Sequence, residues 1–261
     1  MIKIRTVNVT RYVTPLKEGG SLPAIVEADD DGLYVLKFRG AGQGPKALIA
    51  ELVAGEIVRA AGLMVPEIVF ANLDAELART EPDPEIHELV QMSAGLNLAL
   101  DYLPGSIMFN PVSHSITEDM ASRIVWLDGY LTNIDRTPRY TNMLIWHKQL
   151  YLIDHGAALY FHHSWHNYKE RWRDPFPLIK EHVLLPWASA LERCEEEMKI
   201  IITADVIESA IALIPDAWLM GEKKFETYDD FRVAYQAYLT MRLEQSRIFT
   251  EEAIRARSVF V

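Results

Sequence analysis

The segment from Tyr130 to Leu159 reads YLTNIDRTPRYTNMLIWHKQLYLIDHGAAL, and it decides how the rest of the sequence is interpreted. It places Asp135, Asn142 and Asp154 in a stretch that is otherwise rich in apolar residues. Turn chemistry is one explanation, because Asn, Asp and Pro favour turns for local hydrogen-bonding reasons. The other explanation is that the three side chains hold a divalent metal and a phosphate chain, because they offer the hard oxygen ligands that magnesium prefers.

Length, charge and cysteine content exclude several classes of protein. The chain has 261 residues, enough for one large domain or two lobes. It carries 26 basic and 37 acidic side chains and no run of Lys or Arg, so we expect no direct nucleic-acid binding. No apolar stretch reaches the roughly eighteen residues of a membrane span, and the N-terminus lacks a signal-peptide core. Cys194 is the only cysteine, which excludes an internal disulfide and makes a cytoplasmic protein the expectation.

The N-terminal part reads as strands with one long helix. Alternation predicts a strand at IKIRTVNVTRYV and two more at AIVEA and LYVLKF, which the turn-forming DDDG joins. Apolar residues at helical spacing predict a helix over residues 46–63, with Gly62 at its C-terminal cap. Further strands are expected at VPEIVFANL and over residues 95–105, and TEPDPEIHE, with two prolines, reads as a loop. We therefore predict a strand-rich N-terminal lobe over residues 1–103.

The remainder is predominantly helical. Thr117 is expected to cap a helix over residues 117–133, because its hydroxyl can accept from the free amides of the first turn. MLIWHKQLYLID predicts a two-stranded ribbon, and from about Ser164 onward the pattern is mostly helical. The predicted fold is therefore α+β with two lobes, and the helical C-terminal lobe, residues 104–261, carries the segment quoted above.

Several chemically distinctive features follow one another along the chain. They are a glycine-rich segment, a strand lysine, a helix with two glutamates and the quoted segment: Gly19, Gly20 and Ser21; Lys37; Glu51 and Glu56; then Asp135, Asn142 and Asp154. This is the order found in protein-kinase-like phosphotransferases. A glycine loop lets backbone amides approach phosphates, the lysine supplies positive charge, and a helix glutamate holds the lysine. Positioning and charge neutralisation are nearly all that phosphoryl transfer requires.

Two departures separate the chain from the common protein kinases. Asp135 and Asn142 are seven positions apart (142 − 135), where those kinases have five, and NIDR stands in place of HRD. DHG at 154–156 stands in place of DFG. These motifs resemble the HipA-like kinases and, more distantly, the phosphoinositide kinases, whose catalytic loops also read Asp-Arg.

The resemblance to HipA-like kinases extends over roughly residues 10–245. LVAGEIVRAAGLMVPEIVFANL is similar to the family segment in which a glutamate-bearing helix ends at GL.VP and enters a strand. LNLALDYLPG resembles the strand and hinge between lobes, and TADVIESAIALIPDAWL resembles a late helical segment. The chain is shorter than HipA toxins, so we expect it to lack their extra N-terminal subdomain, which argues against a toxin role and a HipB-like DNA-binding partner.

The resemblance implies an ATP- and Mg²⁺-dependent kinase with the two-lobed protein-kinase-like fold, whose acceptor is a Ser or Thr of a protein. It implies that Asp135 is the catalytic aspartate and that Asn142 and Asp154 are the magnesium ligands. Arg136 is expected either to stabilise the transferred charge or to pair with a nearby acid.

The resemblance also implies a set of nucleotide contacts. Lys37 is expected to contact the phosphates with Glu51 as its partner; Glu56 is the rival, and Glu51 is preferred because it lies farther upstream of GL.VP. The other expected contacts are the hinge groups that face adenine and the loop over the phosphates: Asp101, Tyr102 and Leu103; Gly19, Gly20 and Ser21.

Other interpretations remain open at this stage. A small-molecule or lipid kinase predicts an enclosed acceptor pocket that includes the 160–175 loop. A nucleotide-binding pseudokinase, acting as a regulatory module, is compatible with the longer catalytic loop. A metal-dependent hydrolase built on His162 and His166 lacks the glutamate of an H-E-x-x-H motif, so an aromatic-packed loop is favoured there. Cys194 lies in an amphipathic helical pattern and is not expected to be a catalytic thiol.

Overall fold

The computed structural model describes residues 3–16 and 22–260. Gly19, Gly20 and Ser21, the expected phosphate loop, lie outside the described residues.

Five strands form a closed barrel in the N-terminal part of the chain, in the order β1-β2-β3-β5-β4. They are β1 (Thr6–Pro15), β2 (Ala24–Ala28), β3 (Leu33–Lys37), β4 (Ile68–Leu73) and β5 (Gly95–Asp101). β1 and β4 pair in parallel, and the other neighbours are antiparallel. Alternate residues point inward, for example Tyr34 and Leu36 on β3, as expected for strands with one buried face. Each strand predicted for this part of the chain is present, although the strand predicted over residues 95–105 ends at Asp101.

Helix α1 (Pro45–Ala60) joins the barrel to the rest of the molecule. Every residue from Leu48 to Val58 is buried, so the helix is covered on all sides and not only along one stripe. The helix ends at Ala60, and Gly62 follows its C-cap residue and closes it, as predicted. Gly62 has a φ of 81°, its amide bonds to the carbonyl of Arg59, and the next amide, of Leu63, bonds to that of Val58. These two hydrogen bonds satisfy two of the last carbonyls of the helix.

The loop prediction for TEPDPEIHE is wrong, because helix α2 (Pro84–Met92) begins within this segment. The Asp83 carboxylate accepts from the Glu85 amide at the N-cap. Pro84 occupies the first helical position, where a missing N–H costs nothing and its fixed φ suits the helix. This proline therefore marks a helix start, although prolines in a sequence usually indicate a loop.

The C-terminal part begins with a small sheet and helix α3 (Glu118–Leu131), whose N-cap Thr117 accepts from Met120 N as predicted. The predicted ribbon is confirmed as β7 (Met143–Trp146) and β8 (Gln149–Leu152), and β6 (Ile107–Met108) adds a third strand. The longer helices that follow are α5 (Leu191–Ile201), α6 (Ala204–Ile211), α8 (Tyr228–Glu244) and α9 (Arg247–Arg257). Two single-turn helices are α4 (Tyr168–Arg171) and α7 (Asp216–Leu219). No helix within residues 3–16 and 22–260 is long and apolar enough to cross a membrane.

One buried arginine secures the end of α3. Arg242 of α8 donates to the carbonyl oxygens of Gly129 (2.7 Å) and Tyr130 (2.9 Å), and also to those of Trp172 and Asp174. A guanidinium at a helix C-terminus satisfies carbonyls that have no partner within the helix and complements the helix dipole. The loop that contains Asp135 therefore starts from a fixed point.

The buried apolar residues form two clusters that do not divide at residue 103. One cluster fills the barrel and its α2 side. The other unites α1 with α3 and the C-terminal helices. The amide of Leu152 in β8 also donates to the carbonyl of Met64, 2.8 Å away, just after α1. Helix α1 therefore packs in one apolar cluster both with β4 and β5 of the barrel and with the C-terminal helices.

Candidate active site

Lys37 and Glu51 form a buried ion pair where β3 ends beside α1. The Lys37 Nζ donates to Glu51 Oε2 at 2.9 Å, and the Glu51 side chain is fully buried. Burial lowers the pKa of Lys37, but Glu51 and Asp154 outweigh burial and raise it above its ordinary value. Burial likewise opposes ionisation of Glu51, but Lys37 and His155 hold the pKa of this carboxyl below its usual range. Both members are therefore charged near neutral pH.

The rival glutamate lies elsewhere on the same helix. Glu56 is buried, and its nearest basic partner is Arg59, with Oε1 3.6 Å from the guanidinium. Burial raises the pKa of Glu56. The preference for Glu51 over Glu56 as the neighbour of Lys37 agrees with these contacts.

Asp154 and His155, which follow β8, meet the Lys37–Glu51 pair from the C-terminal side. Asp154 Oδ1 accepts from Lys37 Nζ, and its side chain is 44% exposed. His155 is fully buried, and its Nδ1 lies 3.4 Å from Glu51 Oε1. His155 therefore packs in the interior, at the position that Phe occupies in DFG, and contacts the carboxylate of Glu51.

Asp135 and Asn142 contact each other across the longer catalytic loop. Asn142 Nδ2 donates to the carbonyl of Asp135 (3.1 Å) and to its Oδ2 (3.3 Å). Because Nδ2 makes both of these bonds, Oδ1 of Asn142 points away from Asp135. Asn142 (φ 49°) and Asp154 (φ 57°) both adopt the left-handed conformation, which Asn and Asp tolerate better than other non-glycine residues. Burial raises the pKa of Asp135, an effect that Asn142 opposes and the nearby Asp154 supports.

A turn accommodates the two additional residues of this loop. The amide of Thr137 donates to the carbonyl of Tyr140 at 2.9 Å, which closes a tight turn. Arg136 then crosses the loop and donates from Nη1 to the carbonyl of Asn142. The longer spacing therefore still brings Asp135 and Asn142 into contact.

The contacts of Arg136 bear on the two roles that the sequence analysis left open for it. Its residue is 1% exposed, and its Nε donates to Asp128 Oδ2 at 2.5 Å. Because the guanidinium is buried against Asp128, its contacts agree with pairing to a nearby acid and not with stabilising transferred charge. Asp128 was not singled out from the sequence, although an aspartate within the apolar run IVWLDGYL indicates a buried partner.

The three hinge residues differ in whether their backbone amides already donate a hydrogen bond. The amide of Asp101 donates to the carbonyl of Glu67 (2.8 Å), and that of Tyr102 donates to the carbonyl of Leu33 (2.9 Å). The amide of Leu103 makes no hydrogen bond within the described part of the chain. Of the three expected adenine contacts, Leu103 is therefore the one whose N–H is available.

The donor set fits a magnesium ion. Mg²⁺ is usually bound by one or two carboxylates together with substrate phosphates and water. Asp154 offers a partly exposed carboxylate, and Asn142 offers the amide oxygen Oδ1, which its own hydrogen bonds leave free. Within the described residues, no three His, Cys, Asp or Glu side chains are grouped to hold a metal. His162 is instead buried and bonded through Nδ1 to the Tyr235 hydroxyl at 2.9 Å.

The family is shown by comparison of the sequence with family models. Residues 9–250 match the model described as HipA-like kinase. The chain belongs to the HipA-like kinase family. The resemblance stated from its motifs and the two-lobed kinase-like α+β fold are thereby confirmed. Comparison with curated proteins gave no match.

Solved kinase structures have a similar fold. The Helicobacter pylori proinflammatory kinase CtkA has a TM-score of 0.55 at 12% identity, over 98% of this chain and 99% of that one. The Golgi casein kinase with Mn and ADP bound has a TM-score of 0.52 at 11% identity, over 98% of this chain and 74% of that one. A further structure of the Golgi casein kinase has a TM-score of 0.52 at 11% identity, over 99% and 75%. At these identities the similarity shows the fold alone.

Proposed function

We propose that this HipA-like kinase is an ATP- and Mg²⁺-dependent phosphotransferase that transfers the γ-phosphoryl group to a Ser or Thr hydroxyl of a protein. The observation that carries the proposal is the position of Lys37 Nζ, which contacts both Glu51 and Asp154. β3, α1 and the DHG loop meet there, and their charges are those that a nucleotide–metal complex requires.

The nucleotide is held by charge and by one free amide. Lys37 offers a permanent positive charge to the phosphates, and Glu51 fixes its position. The N–H of Leu103 donates to adenine. Asn142 Oδ1 and the Asp154 carboxylate hold the magnesium ion, which when bound neutralises charge on the phosphates.

Asp135 acts on the acceptor. Its carboxylate accepts a hydrogen bond from the acceptor hydroxyl and takes up its proton as the oxygen bonds to the γ-phosphorus, while the bond from that phosphorus to the β,γ-bridging oxygen of ATP breaks and ADP leaves. The raised pKa of Asp135 increases its proton affinity, which favours this role. Asn142 donates to Asp135 and thereby orients the base next to the metal ligand.

Thermal melting combined with a transfer assay tests the proposal. A ligand that binds only the folded state raises the melting temperature by mass action, so ATP with Mg²⁺ is expected to raise it more than either alone. Asp154→Asn is expected to lose the metal-dependent part of this shift. Asp135→Asn is expected to keep the shift but to lose transfer of labelled phosphate to Ser or Thr by at least about 10²-fold. Asp205→Asn, an exposed acid on α6, is the control.

The alternatives are distinct outcomes of the same assay. Label that appears on a small molecule or lipid and not on protein would make the chain a small-molecule or lipid kinase. A metal-dependent ATP shift without transfer to any acceptor would favour a nucleotide-binding pseudokinase. No shift at millimolar ATP would rule out the ATP-dependent mechanism.

A further inference from the structure

The buried carboxylate of Asp128, beneath the catalytic loop, accepts hydrogen bonds from three side chains. Asp128 Oδ2 accepts from Arg136 Nε (2.5 Å) and from His182 Nε2 (2.9 Å), and Oδ1 accepts from Asn133 Nδ2 (2.9 Å). All four residues are at most 6% exposed. Buried polar groups are costly unless they are paired, so such a cluster holds its members in one arrangement.

The proton positions in this cluster are defined by its hydrogen bonds. The amide of Leu184 donates to His182 Nδ1 at 3.0 Å, so Nδ1 is the acceptor and Nε2 carries the proton that is donated to Asp128. Burial lowers the pKa of His182 and outweighs the opposing effect of Asp128, so the imidazole is neutral at pH 7. Burial opposes ionisation of Asp128, but Arg136 and His182 hold the pKa of this carboxyl below its usual range.

The cluster reaches the catalytic loop at both ends. Arg136 directly follows Asp135, and its Nη1 donates to the carbonyl of Asn142 at the far end of the loop. The carbonyl of Arg136 accepts from the amide of Val183, 3.0 Å away, next to His182. Because a guanidinium is a rigid planar fork, fixing one edge on Asp128 also fixes the edge that holds Asn142.

We propose that Asp128 and His182 are positioning residues of this kinase, which act through Arg136 to hold Asn142, and with it Asp135, in the geometry of metal binding and proton transfer. The inference rests on the proposed function, in which Asn142 is a metal ligand. The partners that orient metal ligands commonly change metal affinity when they are replaced, although they never touch the metal.

Titration with Mn²⁺ in the presence of saturating ADP, followed by the electron paramagnetic resonance of free Mn²⁺, tests this role without requiring an acceptor. His182→Phe keeps the ring shape and removes both hydrogen bonds, and is expected to weaken Mn²⁺ binding roughly 10-fold. His182→Gln retains an amide donor near the position of Nε2 and is expected to recover most of that affinity. Binding of ADP without metal is expected to stay unchanged in both variants.

A matched control separates positioning from general loss of packing. His162 is also buried, and within the described residues its side chain makes one hydrogen bond, to Tyr235, so His162→Phe is expected to leave Mn²⁺ affinity unchanged. Arg136→Lys keeps the charge beside Asp128 but cannot also hold the Asn142 carbonyl, and it is expected to weaken Mn²⁺ binding as His182→Phe does. It serves as the second variant if His182→Phe does not fold.

Two results would overturn the inference in different ways. Native Mn²⁺ affinity in the folded His182→Phe variant, or in Arg136→Lys, would show that the cluster does not position the ligand, and the proposed function would stand. No ADP-dependent Mn²⁺ binding by the native chain would overturn the proposed function itself, and this inference with it.

Discussion

At the scale of single residues, the neighbours of a buried ionisable side chain determine whether it stays charged. The Glu51 side chain is fully buried and that of Lys37 is 13% exposed, and each would favour its neutral form if it were alone. Together with Asp154 they remain charged, because the attraction between them exceeds the cost of leaving water. At Cys194 burial outweighs the effect of nearby charges, among them Arg123. Burial raises the pKa of its thiol to about 12, which agrees with the expectation that it is not a catalytic thiol.

Removing the lysine should therefore affect stability as well as binding. Lys37→Met leaves the buried Glu51 carboxylate with only His155 beside it, and we expect a loss of about 3 kcal/mol in the free energy of unfolding. Adding Glu51→Gln removes the uncompensated charge and should restore much of this stability, while affinity for ADP with Mn²⁺ stays low. Urea unfolding at pH 7 and Mn²⁺ titration measure the two effects. A double variant as unstable as Lys37→Met would contradict the explanation.

At the scale of elements, α1 connects strands β4 and β5 of the barrel to the C-terminal helices at the site. Its uniformly buried surface contacts the barrel on one side and the C-terminal helices on the other, and it presents Glu51 to Lys37 between them. A change in its position would move Glu51 relative to both Lys37 and His155. The exact end of the helix at Gly62 therefore matters for the site as well as for stability.

Gly62→Ala tests this helix end. With a φ of 81° and no atom within 4 Å of an added Cβ, the substitution carries only a conformational penalty, which we expect to be about 1 kcal/mol of unfolding free energy. Gly62→Asn should cost less, because Asn tolerates this conformation. Gly156→Ala is the control: no left-handed φ is required there and the added methyl meets Ala47 at ordinary distance, so no comparable loss is expected. Equal losses at both glycines in chemical unfolding would argue against the conformational origin.

At the scale of the whole molecule, buried histidines couple folding to pH. Burial lowers the pKa of His162, His163 and His182 in the folded state. The unfolded chain binds protons near the ordinary value of about 6.5, whereas the folded chain excludes them, so protonation favours unfolding. The stabilisation is present above that value and is lost as pH falls below it. Asp128 adds acid sensitivity at lower pH, below the ordinary aspartate value, because its folded pKa is depressed.

We therefore expect the free energy of unfolding to fall between about pH 7 and pH 5, by at most roughly 1.4 kcal/mol per pH unit for each histidine. Urea unfolding at several pH values measures the slope. His162→Phe should reduce the slope, because it removes one titrating group whose pKa is lowered well below the ordinary value. A stability that does not change over this range would contradict the prediction.

Much of the fold follows from local patterns that the sequence displays. The alternation of apolar and polar residues predicted the barrel strands. The positive φ values of His147 and Lys148 agree with a tight turn between β7 and β8. Gly62 and Thr117 marked helix ends for stereochemical and hydrogen-bonding reasons. Helix α2 was not predicted, because Pro84 was interpreted as a loop residue. A proline is favourable at the first position of a helix but disrupts a helix when it lies in the interior.

The sequence by itself determined the family, most of the strands and helices, and the residues that we propose to hold a nucleotide and a metal. Only the tertiary structure decided how those residues meet. Glu51 and Glu56 are about 140° apart around α1, and the packing of that helix decides which one faces Lys37. Lys37 and Asp154 meet across 117 residues of chain, and Arg136 turns to Asp128 in the interior. Such contacts depend on how distant segments pack, and local propensity carries no information about them.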